Sequence, residues 1–345
     1  MMDFEPPHEK TGSSLTELSL SLNSLEKEVA TFPKELKSIF LQEEIDLLSK
    51  RNKHFDEIKV DIKQDIDMYI INLLPLCKEG CINLVKLFDK YQLLEFPDWL
   101  ESIEKTKYDV QCYRHFCETL IKLHEFLAIS LDEKQEKVNM FASELEQEVD
   151  IQDKEALSLV AKAEKKKKLV TVSSFVPFVG LFPAVAMKKS LKKNEDDAMS
   201  RIKLSYLMRK IHKLMTDVLL PTVISFKENI QATHVFFGVI EDELIIFSDY
   251  AQQASVVKEQ TNAHFTLMKG KSAEIKRHCR LVGKILSIVK SDASILRISE
   301  EELTQINERF LTIMDKTIEQ LPTKYTAFIR SKANIAIAVN TETYC

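Results

Sequence analysis

From Leu15 the chain places apolar residues at helical spacing: Leu15, Leu18, Leu22, Leu25 and Val29. That stripe is the mark of a half-buried helix. Residues 1–14 lack it, and Pro6, Pro7, Gly12, Ser13 and Ser14 mark a disordered N-terminus. Pro33 fits a helix start, and the pattern predicts a helix to about Leu74 that Pro75 kinks or ends. A further stretch runs from Leu76 to Glu95, so residues 15–97 read as bundle helices.

Between Asp98 and Val176 there is neither Gly nor Pro. Ile103, Val110, Cys117, His124, Leu131, Val138 and Leu145 recur every seven residues, with Tyr113, Leu120, Leu127 and Phe141 between them. Together they form an a/d seam. His124 is its polar exception, expected to be a seam residue hydrogen-bonded to a neighbour. The seam thins after Leu145. Helical patterning resumes at Leu204, Leu207, Ile211, Leu214 and Val218, meets Pro221, where a kink is expected, and continues to Gly270. A last helix is expected from Lys271 to about Gln320, closed by Pro322 and followed by a tail.

The two arms around mid-chain are of similar length, and each would rise roughly 100–120 Å if continuous. Residues 98–270 thus read as a long antiparallel helical hairpin, with residues 271–345 packing on the bundle. The fold class is all-α: an elongated helical bundle or coiled-coil rod with an apolar tip.

That tip is the uncharged run of residues 169–187. Leu169, Val170, Val172, Phe175, Val176, Pro177, Phe178, Val179, Gly180, Leu181, Phe182, Pro183, Val185 and Met187 are its candidate membrane-insertion residues. Lys165, Lys166, Lys167 and Lys168 precede it, and Lys188, Lys189, Lys192 and Lys193 follow, as candidate lipid-headgroup contacts. As one helix the run would rise roughly 28 Å, barely one hydrocarbon thickness. Pro177, Gly180 and Pro183 instead suit a turn, while Thr171, Ser173 and Ser174 dilute the first half. Lysines on both sides give no inside–outside bias. A hairpin that dips in and returns keeps both sets on one side, where each lysine gains about 1 kcal/mol from anionic lipid. The competing reading is a soluble helix–turn–helix core. The other apolar run, Val235 to Phe247, is cut by Glu241, Asp242 and Glu243 and reads as bundle core.

Composition narrows the chemistry. The chain has 345 residues, 45% of them hydrophobic and 29% charged, enough for a real core. Only 6 are Gly and 9 Pro, which disfavours all-β and doubly wound folds. No Gly-rich loop or nucleophile elbow exists. Gly270-Lys271-Ser272 resembles the end of a P-loop, but Phe265 stands where the first glycine is needed. Net charge is -5, so no nucleic-acid partner is expected. Cys112, His115 and Cys117 could hold zinc only with a fourth ligand; buried free thiols are the commoner case. Asp61, Asp65 and Asp67 lack the glycine of a calcium loop. No catalytic constellation or cofactor is expected. The N-terminus carries no secretory signal pattern, so release by another route is expected.

A helical rod with one apolar hairpin near mid-chain resembles the α-helical pore-forming toxins of the cytolysin A superfamily. It is most similar to the smaller B component of the binary Xax/Yax-type cytotoxins. The resemblance spans about Leu15 to Pro322 and transfers to residues only at Leu169 to Met187. It implies a non-enzymatic, soluble monomer that joins an A component, forms a hetero-oligomeric ring and perforates the target-cell bilayer. A non-toxic coiled-coil membrane tether or scaffold, and a soluble helical adaptor, remain the other classes.

Overall fold

The computed structural model describes residues 48, 51–173, 181–256, 261–293 and 298–344; side chains are described outside 169–188, 254–256, 261, 288–293 and 339–344. Every element among them is helical: α1 Lys53–Met68, α2 Leu74–Leu93, α3 Phe96–Glu101, α4 Ile103–Ser173, α5 Leu181–Leu214, α6 Leu220–Val256, α7 Thr261–Ala293, α8 Glu300–Ile318 and α9 Thr323–Tyr344. The described residues divide into two compact units. One holds 60–133, 222–256, 261–293 and 298–344, and the other 48, 51–59, 134–173 and 181–221.

Neither Pro75 nor Pro221 ends its helix, and for the same reason. A π-helical turn, Tyr69–Leu73, precedes Pro75 by two residues, and another, Met215–Leu219, precedes Pro221 by two. The amide of Leu74 bonds the carbonyl of Tyr69, and that of Leu220 bonds Met215, five residues back. Such a widened turn makes room for a ring that would clash with the preceding turn. Gly270 is no boundary either, since α7 runs through it. The single helix expected from Lys271 to Gln320 divides because Ser299 opens α8 with a capping box. Its hydroxyl accepts from Glu302 N at 3.2 Å, and the Glu302 carboxylate accepts from Ser299 N at 2.9 Å. Pro322 ends one helix and leads into another: the expected tail is α9.

The first unit carries the aromatic core. Tyr69, Phe88, Tyr91, Trp99, Phe116, Phe226, Phe236, Phe237 and Phe247 are all under 3% exposed. Phe88 and Tyr91 of α2 meet Phe247 of α6 edge-on at 5.3 and 5.7 Å. Val110, Cys117, Leu120, Leu127 and Leu131 of the expected seam are buried on α4, while Ile103 and Tyr113 lie half-buried. Phe236 to Phe247 is core, as its charge pattern indicated; Val235 faces outward. Lys53–Leu93 is the one described stretch long and apolar enough to cross a membrane, yet most of it is buried in this core.

Polar groups are set into that core in pairs. Asp65 accepts from Arg309 Nη2 at 3.0 Å and Ser130 Oγ at 2.6 Å. Lys271 donates to Glu243 at 2.7 Å with both side chains buried. Tyr69 Oη donates to Asn229 Oδ1 at 2.6 Å. His124 is wholly buried; its Nδ1–H donates to the Leu120 carbonyl at 2.7 Å, and Nε2 faces Cys77 Sγ at 3.9 Å. That arrangement suits the neutral ring. Burial pushes its pKa down to about 4, against the Leu120 bond and with a further push from His234.

Two measurements follow from this packing. A Cβ on Gly80 would sit 2.6 Å from Cε1 of the buried Phe116 ring, whereas one on Gly270 meets nothing within 4 Å. Urea unfolding should show Gly80→Ala destabilised by about 1–3 kcal/mol through overpacking. Gly270→Ala should be stabilised by up to about 1 kcal/mol through helix propensity. For His124 the folded pKa is depressed, so the unfolded state takes up the proton first as pH falls. The stability it contributes is complete above pH 6.5 and is lost between 6.5 and about 4. The stability of the natural chain, measured against His124→Gln, should fall by about 3 kcal/mol across that window. A difference independent of pH would show that His124 titrates freely in the fold.

Candidate membrane-insertion segment

The second unit pairs α4 with α5. On α4 the buried stripe continues past Leu145 as Val149, Gln152, Ala156 and Ala163; on α5 it is Ala198, Ser205 and Ile211. Small side chains let two helices approach closely but bury little apolar surface. Polar contacts supply the register. Asp153 accepts from Ser205 Oγ at 2.6 Å and pairs with Arg209. Arg201 donates to Gln152 at 2.8 Å and pairs with Glu155. Lys166 Nζ donates to Ser190 Oγ at 2.6 Å.

These contacts fix an antiparallel course. The partners 166 and 190, 155 and 201, and 153 and 205 lie nearly symmetrically about residues 178 and 179. Within the first unit, α4 and α6 keep the same symmetry: Asp132 pairs with Lys227, and Glu125 lies 3.3 Å from His234. Folding the sequence about its Pro-Gly-Pro centre would have matched Asp153 with Arg209 and Asp132 with Lys227. Reading each helix for apolar residues alone missed them.

Leu169, Val170 and Val172 belong to the backbone end of α4, and Leu181, Phe182, Pro183, Val185 and Met187 to the start of α5. Pro183 falls in the first turn of α5, where a helix tolerates the missing N–H. Phe175, Val176, Pro177, Phe178, Val179 and Gly180 lie outside the described residues. Of the lysines, Lys165, Lys167, Lys168, Lys189, Lys192 and Lys193 are exposed, and Lys166 is half-buried against Ser190; the Lys188 side chain lies outside the described set. The Lys166–Ser190 bond brings the two lysine sets to one level of the helix pair. An acidic run, Glu195, Asp196 and Asp197, follows on α5 and is also exposed.

The stripe expected on α5 needs correction. Leu204 is 39% exposed, Leu207, Leu214 and Val218 are half-buried, and only Ile211 is fully buried. The buried positions are Ser205, Ile211, Met215 and Leu219. The polar ladder and the widened turn at Met215–Leu219 choose this face. Ile202, Leu204 and Tyr206 are left facing outward, a feature the apolar pattern did not reveal.

Other candidate chemistry dissolves into structure. Cys117 is buried with Cys77, Cys81 and Cys279, and burial pushes the thiols of Cys77 and Cys117 well up. His115 instead pairs with Glu118 at 3.1 Å. Asp67 accepts from Lys63 at 2.6 Å, and burial raises its pKa against that lysine. Among the described residues no three His, Cys, Asp or Glu side chains converge as a metal cage. Ser272 Oγ bonds the Lys269 carbonyl at 2.7 Å within its own helix.

No family model matches the chain, and no curated protein matches it. Among solved structures it is similar to the soluble AhlC triple head mutant of the tripartite alpha-pore forming toxin AHL from Aeromonas hydrophila. The TM-score is 0.52 at 8% identity, covering 76% of this chain and 97% of that one. It also aligns with the SmhB pore of the tripartite toxin Smh from Serratia marcescens, at a TM-score of 0.49 and 10% identity, covering 78% and 98% of the two chains. The first likeness is one of fold: this all-α chain has the fold of AhlC.

The register makes a direct prediction about the segment. Extending it from Lys166 and Ser190 sets position 172 opposite 184–187. In a chain freed of native cysteines, Val172→Cys should form a disulfide with Ala184→Cys or Met187→Cys, since such a bond needs Cα atoms within about 7 Å. Non-reducing mass spectrometry of the peptides checks it. Failure of every pair across the segment would mean that the antiparallel course ends before residue 172.

Proposed function

We propose that the chain is a subunit of a multicomponent α-helical pore-forming toxin, with residues 169–187 as its membrane-insertion segment. The observation that carries this reading is the antiparallel pairing of α4 and α5. It brings two sets of lysines to one level on either side of an uncharged segment. The AhlC-like fold agrees with it.

The energetics set the mechanism. Phe175, Phe178, Leu181 and Phe182 each gain about 1.5–3 kcal/mol when fully buried, so in water the segment seeks cover and a bilayer offers a competing surface. The lysines hold at the headgroups; drawing one across would cost about 2.5–3.5 kcal/mol. The segment is too short for two full spans. Conductance therefore needs the adjoining amphipathic helix to enter with its polar face toward water, or one straightened helix per protomer, and either requires a ring of subunits. Nothing in this mechanism calls for a catalytic group or a cofactor.

The partner is a second helical component. By the resemblance of the sequence, it is the A component of a binary pair in which this chain is the B component, soluble until the ring forms on the target membrane. Dye release from anionic liposomes is the test. The chain alone should release little and the chain with its partner much; a requirement for two partners would replace the binary arrangement with a tripartite one. Val179→Asp, with helicity retained by circular dichroism, should lower release at least tenfold, because a charge enters the centre of the segment. Undiminished release by this variant would take the segment out of the mechanism. Strong release by the purified natural chain would make it a one-component toxin.

A further inference from the structure

In the first unit, α1 and α8 turn one face each toward a shared hollow. Val60, Lys63, Asp67 and Met68 stand at i, i+3, i+7 and i+8 on α1. Glu302, Ile306 and Arg309 stand at i, i+4 and i+7 on α8, so each set lies on one side of its helix. The hollow between them holds about 320 Å³. Asp67, Met68 and Ile306 are 2, 2 and 8% exposed and form its inner wall, while Val60, at 44%, and the exposed Glu302 stand at the rim.

The inner wall holds an unmet charge. Asp67 Oδ2 accepts from Lys63 Nζ at 2.6 Å, whereas Oδ1 is buried without a hydrogen-bond partner among the described residues. An ionised carboxylate is acceptor-only, and leaving part of one unmatched in a buried place is costly. The cations nearby are committed. Arg309 lines the hollow but donates to Asp65 at 3.0 Å. Lys63 is therefore the cation left for two lining carboxylates, Asp67 and Glu302. Glu302 meets Ser299 through Oε2 alone. Burial, and after it the Glu302 charge, holds the Asp67 pKa up against Lys63.

We infer that this hollow binds a small organic cation with a primary ammonium head and a short hydrocarbon tail. The Asp67 carboxylate turns about a soft terminal torsion, so Oδ1 meets the head while Oδ2 keeps Lys63. The head supplies the missing positive charge between Asp67 and Glu302, and the tail lies on Met68, Ile306 and Val60. A metal ion matches less well. It would share Asp67 with the Lys63 ammonium and leave the apolar wall unused, and no three His, Cys, Asp or Glu among the described residues could cage it. A quaternary ammonium brings charge without an N–H donor. Primary ammonium groups are offered by free amines and by the ethanolamine headgroup of a lipid. The site stands on the hollow and on Asp67, and does not rest on the pore-forming reading.

Saturation-transfer NMR of ligands added to the full chain at neutral pH tests the inference. n-Butylammonium should bind saturably with a Kd on the order of 1 mM, as suits so small a ligand. n-Butanol and tetramethylammonium should bind at least about tenfold more weakly, and Asp67→Asn should weaken n-butylammonium by a similar factor, the effect of one charged hydrogen bond. Val60→Trp fills the hollow while leaving Asp67 in place and should abolish binding; Val60 is exposed enough to accept the ring. This variant decides the matter if circular dichroism shows Asp67→Asn unfolded. Dihexanoyl phosphatidylethanolamine, kept monomeric, forms the second arm. Displacement of n-butylammonium by this lipid, and not by its phosphatidylcholine analogue, would support the site with a lipid headgroup as its source. No displacement by either would support it with free amines as the source. Displacement by both lipids alike would overturn the inference, because the choline head has no N–H to donate. So would the absence of saturable binding, equal binding of n-butanol, or unchanged binding by Val60→Trp or a folded Asp67→Asn.

Discussion

The pairing of α4 with α5 through a seam of small side chains sets the terms for the second unit. Ala156, Ala163, Ala198 and Ser205 bring the helices close while burying little hydrocarbon. An alanine seam tolerates sliding, because one methyl fits much like the next. The contacts of Gln152, Asp153 and Glu155 with Arg201, Ser205 and Arg209 remove that freedom. Exposed ion pairs of this kind add little stability. Their contribution is to select one register among several of similar energy. The same choice turns Met199, Ile202 and Tyr206 outward.

The first unit solves a different problem. Its aromatic core encloses Asp65, Glu243, Lys271 and His124, all four buried there. Each is matched: Asp65 by Arg309 and Ser130, Glu243 by Lys271, His124 by the Leu120 carbonyl. Removing one member of a buried charge pair costs about 3–5 kcal/mol, because the other is stranded. Such pairs resist any sliding of α4, α6, α7 and α8 that would part them within this unit. The unit is thereby fixed by matched polarity as well as by volume, whereas the α4–α5 pair is held by one edge of polar contacts over a thin seam.

How much of this was legible in the sequence varied with the kind of residue in the seam. The stripe from Val110 to Leu145 on α4 could be read because it uses large apolar side chains at regular intervals, and His124 could be read as its satisfied polar member. The continuation through Gln152, Ala156 and Ala163 could not, because alanine and glutamine carry no periodic signal. On α5 the largest apolar residues proved the wrong guide, since Ser205 is buried and Leu204 exposed. The helix start at Glu300 is written in Ser299 and Glu302, apart from the boundaries that Gly270 and Pro322 suggest. Of the insertion segment, sequence marks the uncharged run and its lysines, and the paired helices add the level at which the lysines stand. The side chains of 169–188 lie beyond what the packing describes, so their part in insertion rests on chemistry alone.

The two widened turns ahead of Pro75 and Pro221 carry a consequence for chain length. On the second of these paths the buried residues fall every fourth position: Ile211, Met215, Leu219 and Val223. A regular α-helix advances about 100° per residue, so three steps of four drift by roughly 120° from the face they began on. The π-helical turn at Met215–Leu219 absorbs that drift by holding one residue more than a regular turn. Deleting one residue between 215 and 219 would remove the widened turn together with the residue it absorbs, so the helix would become regular while the positions after it kept their face: eleven steps of about 100° bring Val223 back to within roughly 20° of the side of Ile211. Phe226, Phe236 and Phe247 would stay in the core. What such a gap would lose is the room ahead of Pro221, whose ring would then press on the carbonyl of the preceding regular turn; the added residue serves the proline, and the register of the core survives without it.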